Sequence, residues 1–269
     1  IEFADGTVWD RAKIEEEAVL EGNSGNNDLD GRDGFRDNIY GHDGNDTIHS
    51  EGGDDFLYGG LGVDSLHGGE GSDTYVWSKG DASGQYDQIW DRGSSGFDVL
   101  ELTDVTPDDV HLVRYMDPSY PDDDVHMTIV STGEIIRLLD QFKENTTRGV
   151  EQIKFADGTE WDFAEIGGNT ITQGDSSNNN LKGLSDVDDY IFGFAGNDTL
   201  KGRSGDDVLV GGAGADHLDG DGGSDWASYE TSSVGLTVEL GRGGVGAGGA
   251  GGGWCGAGGG SRGAAGGGG

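Results

Sequence analysis

Residues 41–49, GHDGNDTIH, are one copy of a nine-residue unit that recurs in frame along this chain. The unit reads G-x-x-G-x-D, then polar, aliphatic, polar. Residues 59–67 (GGLGVDSLH) and 68–76 (GGEGSDTYV) repeat it, and residues 50–58 carry a weaker copy. Upstream stand residues 22–30 and a copy at 31–40 with one extra residue. Self-similarity at a short fixed period is the signature of a stacked solenoid, because no single unit can bury its apolar face alone.

Each place in the unit has a physical reading. Glycines at the first and fourth places allow positive φ and close backbone approach, so the turn directs carbonyl oxygens inward. The sixth-place Asp adds a carboxylate to the same spot. Hard cations such as Ca2+ take six to eight oxygen ligands of this kind. The last three residues suffice for one short strand, in which neighbouring side chains point to opposite faces. The eighth-place residues Leu29, Ile39, Ile48, Leu57, Leu66 and Tyr75 are therefore expected to face inward, between mostly polar neighbours.

A second block occupies residues 174–228, starting at Gly174, Gly183, Gly193, Gly202, Gly211 and Gly220, again with one extra residue in its second copy. Its inward positions are Leu181, Ile191, Leu200, Leu209, Leu218 and Ala227. Residues 1–10 (IEFADGTVWD) are nearly repeated at 153–162 (IKFADGTEWD), at the same 152-residue offset that relates Gly41 to Gly193 and Asp73 to Asp225. A large module has been duplicated in tandem. Asp5-Gly6 and Asp157-Gly158 are hairpin signals. A short helix is expected within 11–20, with Asp10 as its cap.

The net charge of −36 repels the chain from itself and from nucleic acid, whose phosphates need cationic partners. With hydrophobic residues at 32%, burial alone is thin against the entropy of ordering the backbone. The blocks are thus expected to fold by coupling to metal binding. Glycine is abundant at 55 residues, but without a three-residue period and with 3 prolines collagen is excluded. Cys255 is the single cysteine, so no internal disulfide forms. No apolar stretch is long enough to span a membrane. The chain does not begin with Met and shows no N-terminal signal, and it is expected to be a piece of a longer protein.

The nonapeptides resemble the RTX, or haemolysin-type, calcium-binding repeat, with consensus GGxGxDxUx. That resemblance implies a parallel β-roll in which each repeat is half a coil and loops two repeats apart stack on one side. It places Ca2+ between stacked loops, held by Asp side chains and turn carbonyls. The first block then offers Asn27, Asp46 and Asp64 on one side and Asp37, Asp55 and Asp73 on the other. The second offers Asn179, Asp198 and Asp216, then Asp189, Asp207 and Asp225. Gly41, Asp43, Gly44, Gly59, Gly62, Gly193, Gly196, Gly211 and Gly214 complete the expected metal-binding set, for up to about four Ca2+ per roll. Asn27 and Asn179 are neutral and start their ladders, so weaker end sites are expected there. The insertions put Asp37 and Asp189 out of step, and Ser50 and Ser177, standing for glycine, are expected to strain their turns.

The fold expected is all-β: two parallel β-rolls joined by a β-rich spacer domain. Residues 1–21 end a preceding β-rich linker module, 22–76 form the first roll, 77–173 the spacer, and 174–240 the second roll with a closing strand at 234–240. The tail at 241–269, rich in glycine and free of acid, is expected to be disordered. Strands are expected at 98–102, 110–115, 126–130 and 134–139, with a turn at 106–109. Residues 80–165 resemble the haemolysin-type calcium-binding related domain, which carries no catalytic motif.

A solvated acidic linker accounts for a single GxxGxD, but not for twelve near-consecutive copies with an apolar eighth place. No HExxH motif is present, Gly22-Asn23-Ser24-Gly25 does not meet GxSxG, and the carboxylates recur with the nonapeptide rather than as an acid/base pair. His42, His49, His67 and His217 read as surface residues, and Trp9, Trp90, Trp161 and Trp226 as packing or capping residues. The expectation is a non-catalytic Ca2+-binding segment of a secreted, extracellular protein. Family resemblance adds the type I secretion machinery as a partner. Two other readings are a targeting module of an extracellular polysaccharide-modifying enzyme, lipase or protease, with an extracellular glycan or host surface as partner, and a repeat spacer of a cell-surface adhesin.

Overall fold

The computed structural model describes residues 1–16, 18–82, 85–115, 124–143, 149–228, 237–239, 246–249 and 252–256. They fall into two compact units, one of residues 1–111 and 124–163, the other of 112–123 and 164–269.

In the first unit the strands are β1 (Val19–Glu21), β2 (Asp28–Asp30), β3 (Asn38–Asp43), β4 (Thr47–His49), β5 (Phe56–Leu61), β6 (Ser65–His67), β7 (Thr74–Trp77), β8 (Tyr86–Trp90) and β9 (Val99–Leu102). Next comes β10 (Val110–Tyr115), most of which belongs to the second unit. Then follow β11 (Val125–Ile129), β12 (Ile135–Leu138), β13 (Gln152–Lys154) and β14 (Glu160–Asp162). Successive repeats alternate between two sheets. One runs β1-β3-β5-β7-β9-β13-β14 and the other, within this unit, β2-β4-β6-β8-β12-β11. Two repeats thus make one coil, and coils stack in parallel: Leu29 pairs with Ile48 and Ile48 with Leu66, while Ile39 pairs with Leu57 and Leu57 with Tyr75.

The period of two in each strand buries every eighth place. Ile39, Ile48, Leu57 and Tyr75 are fully buried, Leu66 nearly so, and Leu29 is half-buried at the open end of its sheet. The sheets do not stop with the last nonapeptide at Val76. β8 pairs in parallel with β6, and β9 with β7, and β12 and β13 follow in parallel on β8 and β9. Among the expected strands, 110–115 is matched by β10, and those at 98–102, 126–130 and 134–139 are found within a residue or two. The expected turn holds a single 3-10 turn at Pro107–Asp109.

Both FADGT segments are hairpins. The main-chain N–H of Thr7 donates to Asp5 Oδ1 at 2.9 Å, and that of Thr159 to Asp157 Oδ1 at 2.9 Å. The helix expected within 11–20 is α1 (Arg11–Glu16), shorter because Val19 and Leu20 join β1. Its first turn is capped by Asp10, whose Oδ1 accepts the Lys13 N–H at 2.9 Å. Its duplicate is α2 (Phe163–Gly168), in the same place relative to the second FADGT.

The second unit repeats the plan. β15 (Thr170–Gln173), β17 (Tyr190–Phe192), β19 (Val208–Val210) and β21 (Trp226–Ser228) pair in parallel in one sheet, with Leu112–Tyr115 of β10 beside β15. The other sheet is β16 (Asn180–Lys182), β18 (Thr199–Ser204), β20 (His217–Gly222) and β22 (Thr237–Glu239), also parallel. Leu181, Ile191, Leu200, Leu209, Leu218 and Ala227 form one fully buried core. Of the expected closing strand, 237–239 is seen as β22, and the rest lies outside the described residues.

The tail corrects one expectation. β23 (Gly246–Gly249) and β24 (Gly252–Gly256) are strands, and β24 pairs antiparallel with β21. The free edge of β21 offers unpaired main-chain groups, and a glycine-rich segment can satisfy them without side chains. The remaining tail residues lie outside the described ones.

The turns correct two more. First-place glycines do not adopt positive φ; in most copies the second and fourth places do, as at His42 (φ 79) and Gly62 (φ 152). Neither Ser50 nor Ser177 has positive φ, so neither turn is strained by its serine. Ser50 instead donates its Oγ to the Gly68 carbonyl oxygen at 2.7 Å.

Candidate metal centre

The sixth-place residues form ladders two repeats apart, as the stacking requires. Asp46 Oδ1 accepts the main-chain N–H of Asn27 at 2.7 Å, and Asp64 Oδ1 that of Asp46 at 2.7 Å. On the opposite side Asp55 accepts from Asp37 at 2.7 Å and Asp73 from Asp55 at 2.9 Å. In the second unit Asp198 accepts from Asn179 at 2.8 Å, Asp216 from Asp198 at 3.0 Å, Asp207 from Asp189 at 2.9 Å and Asp225 from Asp207 at 3.2 Å. Each of these accepting carboxylates thus spends one oxygen on holding the preceding coil in register.

The other oxygen is left over. The Oδ2 atoms of Asp46, Asp55, Asp64, Asp73, Asp198, Asp207, Asp216 and Asp225 are buried without a hydrogen-bond partner. Buried polar atoms are otherwise paired, and an unpaired one costs about 1–3 kcal/mol, more when charged. A whole row of them calls for a cationic partner. Turn carbonyls face the same points. A Cβ at Gly193 would lie 2.5 Å from Asp198 Oδ2 and 2.6 Å from the Gly211 carbonyl oxygen; one at Gly41 would overlap Asp46 Oδ2 and the Gly59 carbonyl oxygen. First-place glycines are therefore needed for room. At the fourth place, Gly44, Gly62, Gly196 and Gly214 have positive φ and lie against the backbone of the loop two repeats before. Gly59 and Gly211 likewise crowd their own Asp64 and Asp216. An all-oxygen donor set of carboxylates and carbonyls suits a hard divalent cation. The Asp43 side chain is exposed at the end of β3.

The ladder ends are closed by protein donors instead. Asn27 Oδ1 accepts the Asn23 N–H at 2.7 Å, and Asn179 Oδ1 that of Asp175 at 2.9 Å. Asp37 is held by Arg32, whose Nε donates to Oδ1 at 2.9 Å while its N–H donates to Oδ2 at 2.5 Å. Asp189 Oδ2 accepts the Leu184 N–H at 2.7 Å, and the buried Arg114 guanidinium acts on Asp189 electrostatically. At the far end of the first ladder Asp87 Oδ1 accepts the Asp64 N–H at 2.8 Å, and Trp77 Nε1 donates to Asp87 Oδ2 at 2.8 Å. Arg32, Arg114 and Trp77 lie outside the sixth-place pattern, so no periodicity points to them.

Burial sets the electrostatics. It pushes Asp64, Asp73 and Asp207 up to about 7 and Asp55 to about 6, against the hydrogen bonds that favour the charged form; neighbouring carboxylates add to the rise. Asp46, Asp198 and Asp225 are raised by burial too. A divalent cation in the row inverts this balance by favouring the ionised form.

His49, His67 and Trp90 form a row of their own. The His49 and His67 rings stack at 4.3 Å on the outer face of β4 and β6, and Trp90 follows at 5.3 Å from His67. His67 is only partly exposed; burial, then His49 and Arg92, bring it down to about 4. Trp9 packs edge-on against Phe3 and Trp161 against Phe155, whereas Trp226 is exposed.

Two parallel β-rolls lined by ladders of buried, half-satisfied carboxylates define a class of divalent-cation-binding solenoid. The family described as RTX calcium-binding nonapeptide repeat (4 copies) matches residues 40–75, 173–207 and 192–227, and that described as haemolysin-type calcium binding protein related domain matches residues 124–165. The chain carries RTX haemolysin-type calcium-binding repeats and the domain related to them, and its rolls are Ca2+-binding β-rolls. No curated protein matches the chain. Among the described residues, no helix is long and apolar enough to cross a membrane.

Proposed function

We propose that this chain is the calcium-operated, non-catalytic region of a secreted RTX-type protein. In low-calcium cytosol the acidic ladders repel and the rolls stay open, which suits export through a type I secretion system. Outside the cell, at calcium concentrations of about 10⁻⁴–10⁻³ M, the loops take up ions and the coils lock. Pairs such as Asp46 with Asp64, Asp55 with Asp73, Asp198 with Asp216 and Asp207 with Asp225 supply the carboxylates, with first-place carbonyls beside them. The observation that carries this reading is the row of buried Oδ2 atoms without a partner. Without a cation each opposes folding; with one each becomes a ligand, so ion binding and chain folding share one free energy.

Circular dichroism during a Ca2+ titration, with Mg2+ as control, tests it. Strand signal is expected to be low in EDTA and to rise cooperatively with Ca2+ but not with equal Mg2+. Full strand signal in EDTA overturns the folding switch.

A further inference from the structure

The first roll has one more turn of the same kind than its consecutive repeats supply. Residues 93–101 read GSSGFDVLE, which is G-x-x-G-x-D, then polar-side, aliphatic, polar-side places; residues 77–92 separate them from the last clear copy. The fold closes that gap. β9 lies in parallel on β7 with Val99 opposite Thr74 and Leu100 opposite Tyr75, and Leu100 is fully buried, as an eighth place should be. Asp98 Oδ1 accepts the Asp73 N–H at 2.7 Å, the same bond that Asp73 makes to Asp55. Gly96 has φ +116 and lies against the Gly71 carbonyl oxygen, as Gly62 does against Gly44 and Gly71 against Gly53.

This turn differs from the others in its donors. Asp91, two residues before Gly93, brings a third carboxylate: one oxygen each from Asp73, Asp91 and Asp98 lies within 4.8 Å of the others. All three residues are buried, and the Oδ2 atoms of both Asp73 and Asp91 have no hydrogen-bond partner. The nearest cation in sequence, Arg92, is turned elsewhere, stacked 3.7 Å over the Trp90 ring and 3.6 Å from Asp140. Glu151 backs the turn by accepting the Asp98 N–H at 2.7 Å.

We propose that Asp73, Asp91 and Asp98 form an additional Ca2+ site on a seventh turn of the first roll, beyond the matched repeats, and that its three carboxylates make it the tightest site of that roll. The inference rests on the calcium-binding reading of the ladders. It departs from their pattern because Asp91 has no counterpart in the nonapeptide. Affinity in oxygen-only calcium sites rises with the number of charged ligands, which orders this site ahead of the two-carboxylate ones.

Isothermal titration of the whole chain with CaCl2, wild type against Asp91→Asn, tests it. The variant is expected to bind one ion fewer, or to have its tightest phase weakened about tenfold, with the remaining phases unchanged. Asp98→Asn keeps an acceptor for the Asp73 N–H and is expected to do the same. Wild-type binding with identical stoichiometry and affinities in both variants overturns this site and leaves the ladder reading intact. A wild type that binds no Ca2+ sinks the ladder reading itself. Failure of both variants to reach wild-type strand signal at saturating Ca2+ also counts against the proposal, because loss of one ion leaves the other ladders to close the roll.

Discussion

Asp64 accepts the main-chain N–H of Asp46 on Oδ1 at 2.7 Å and keeps its Oδ2 buried with no hydrogen-bond partner. One carboxylate therefore does two jobs, setting the register of adjacent coils and presenting a ligand oxygen. Asp64→Ala removes both. It is expected to shift the Ca2+ midpoint of folding upward and to cost about 1–3 kcal/mol at fixed calcium. Asp46→Ala acts on the same pair, so the double variant should lose less than the sum of the two. Calcium titrations followed by circular dichroism measure all three, and strict additivity would argue against a shared ion.

The ladders also make stability depend on pH with a definite sign. Asp64, Asp73 and Asp207 have folded-state values raised to about 7 from an ordinary 3.8, so the calcium-free folded chain binds protons more tightly than the unfolded one. That stabilisation is complete below 3.8 and is lost as pH rises through about 7. His67 opposes it: its value falls from 6.5 to about 4, so its contribution is present above 6.5 and lost as pH falls toward 4. The carboxylates outnumber it, and the residual strand signal in EDTA should be higher near about pH 5 than near about pH 8. With calcium the carboxylate trend reverses, since ligands must be ionised, and the Ca2+ midpoint should rise as pH falls through about 7. A calcium midpoint that does not move with pH would contradict the assignment of these groups as ligands.

Two glycines with positive φ separate conformational strain from lack of room. Gly158 has φ +86 and open space around it, whereas Gly62 has φ +152 and sits against the Gly44 carbonyl oxygen. Gly158→Ala should cost about 1–2 kcal/mol, the price of a left-handed L-residue. Gly62→Ala should cost at least about 3 kcal/mol and raise the calcium requirement, because the coils must separate to admit the methyl group. Denaturant melts at saturating Ca2+ rank the two, and equal losses would remove the case for close coil stacking.

Trp77 closes the end of one ladder with an N–H where the middle of the ladder has a bare oxygen. Its Nε1 lies 2.8 Å from Asp87 Oδ2, both residues being buried. Trp77→Phe keeps most of the packing and strands that oxygen, at an expected cost of about 1–3 kcal/mol. Trp77→Phe with Asp87→Leu should recover part of the loss, since removing both polar partners is cheaper than removing one. Melts of the single and double variants check this.

The nine-residue spacing by itself determined the inward row from Ile39 to Tyr75 and from Leu181 to Ala227 and the oxygen-rich chemistry, because each follows from a local period and from side-chain type; the half-coil and the two-sided ladders followed from the resemblance to the RTX repeat. Only the tertiary structure decided which ladder members keep a free oxygen. Arg32 on Asp37, Arg114 beside Asp189, Trp77 on Asp87 and Asp91 beside Asp98 arrive from outside the period, and Asp98 rejoins it after an interruption. Sheet stacking brings coils into register by strand pairing, which tolerates residues looped out between strands, whereas a period counted along the chain is broken by them.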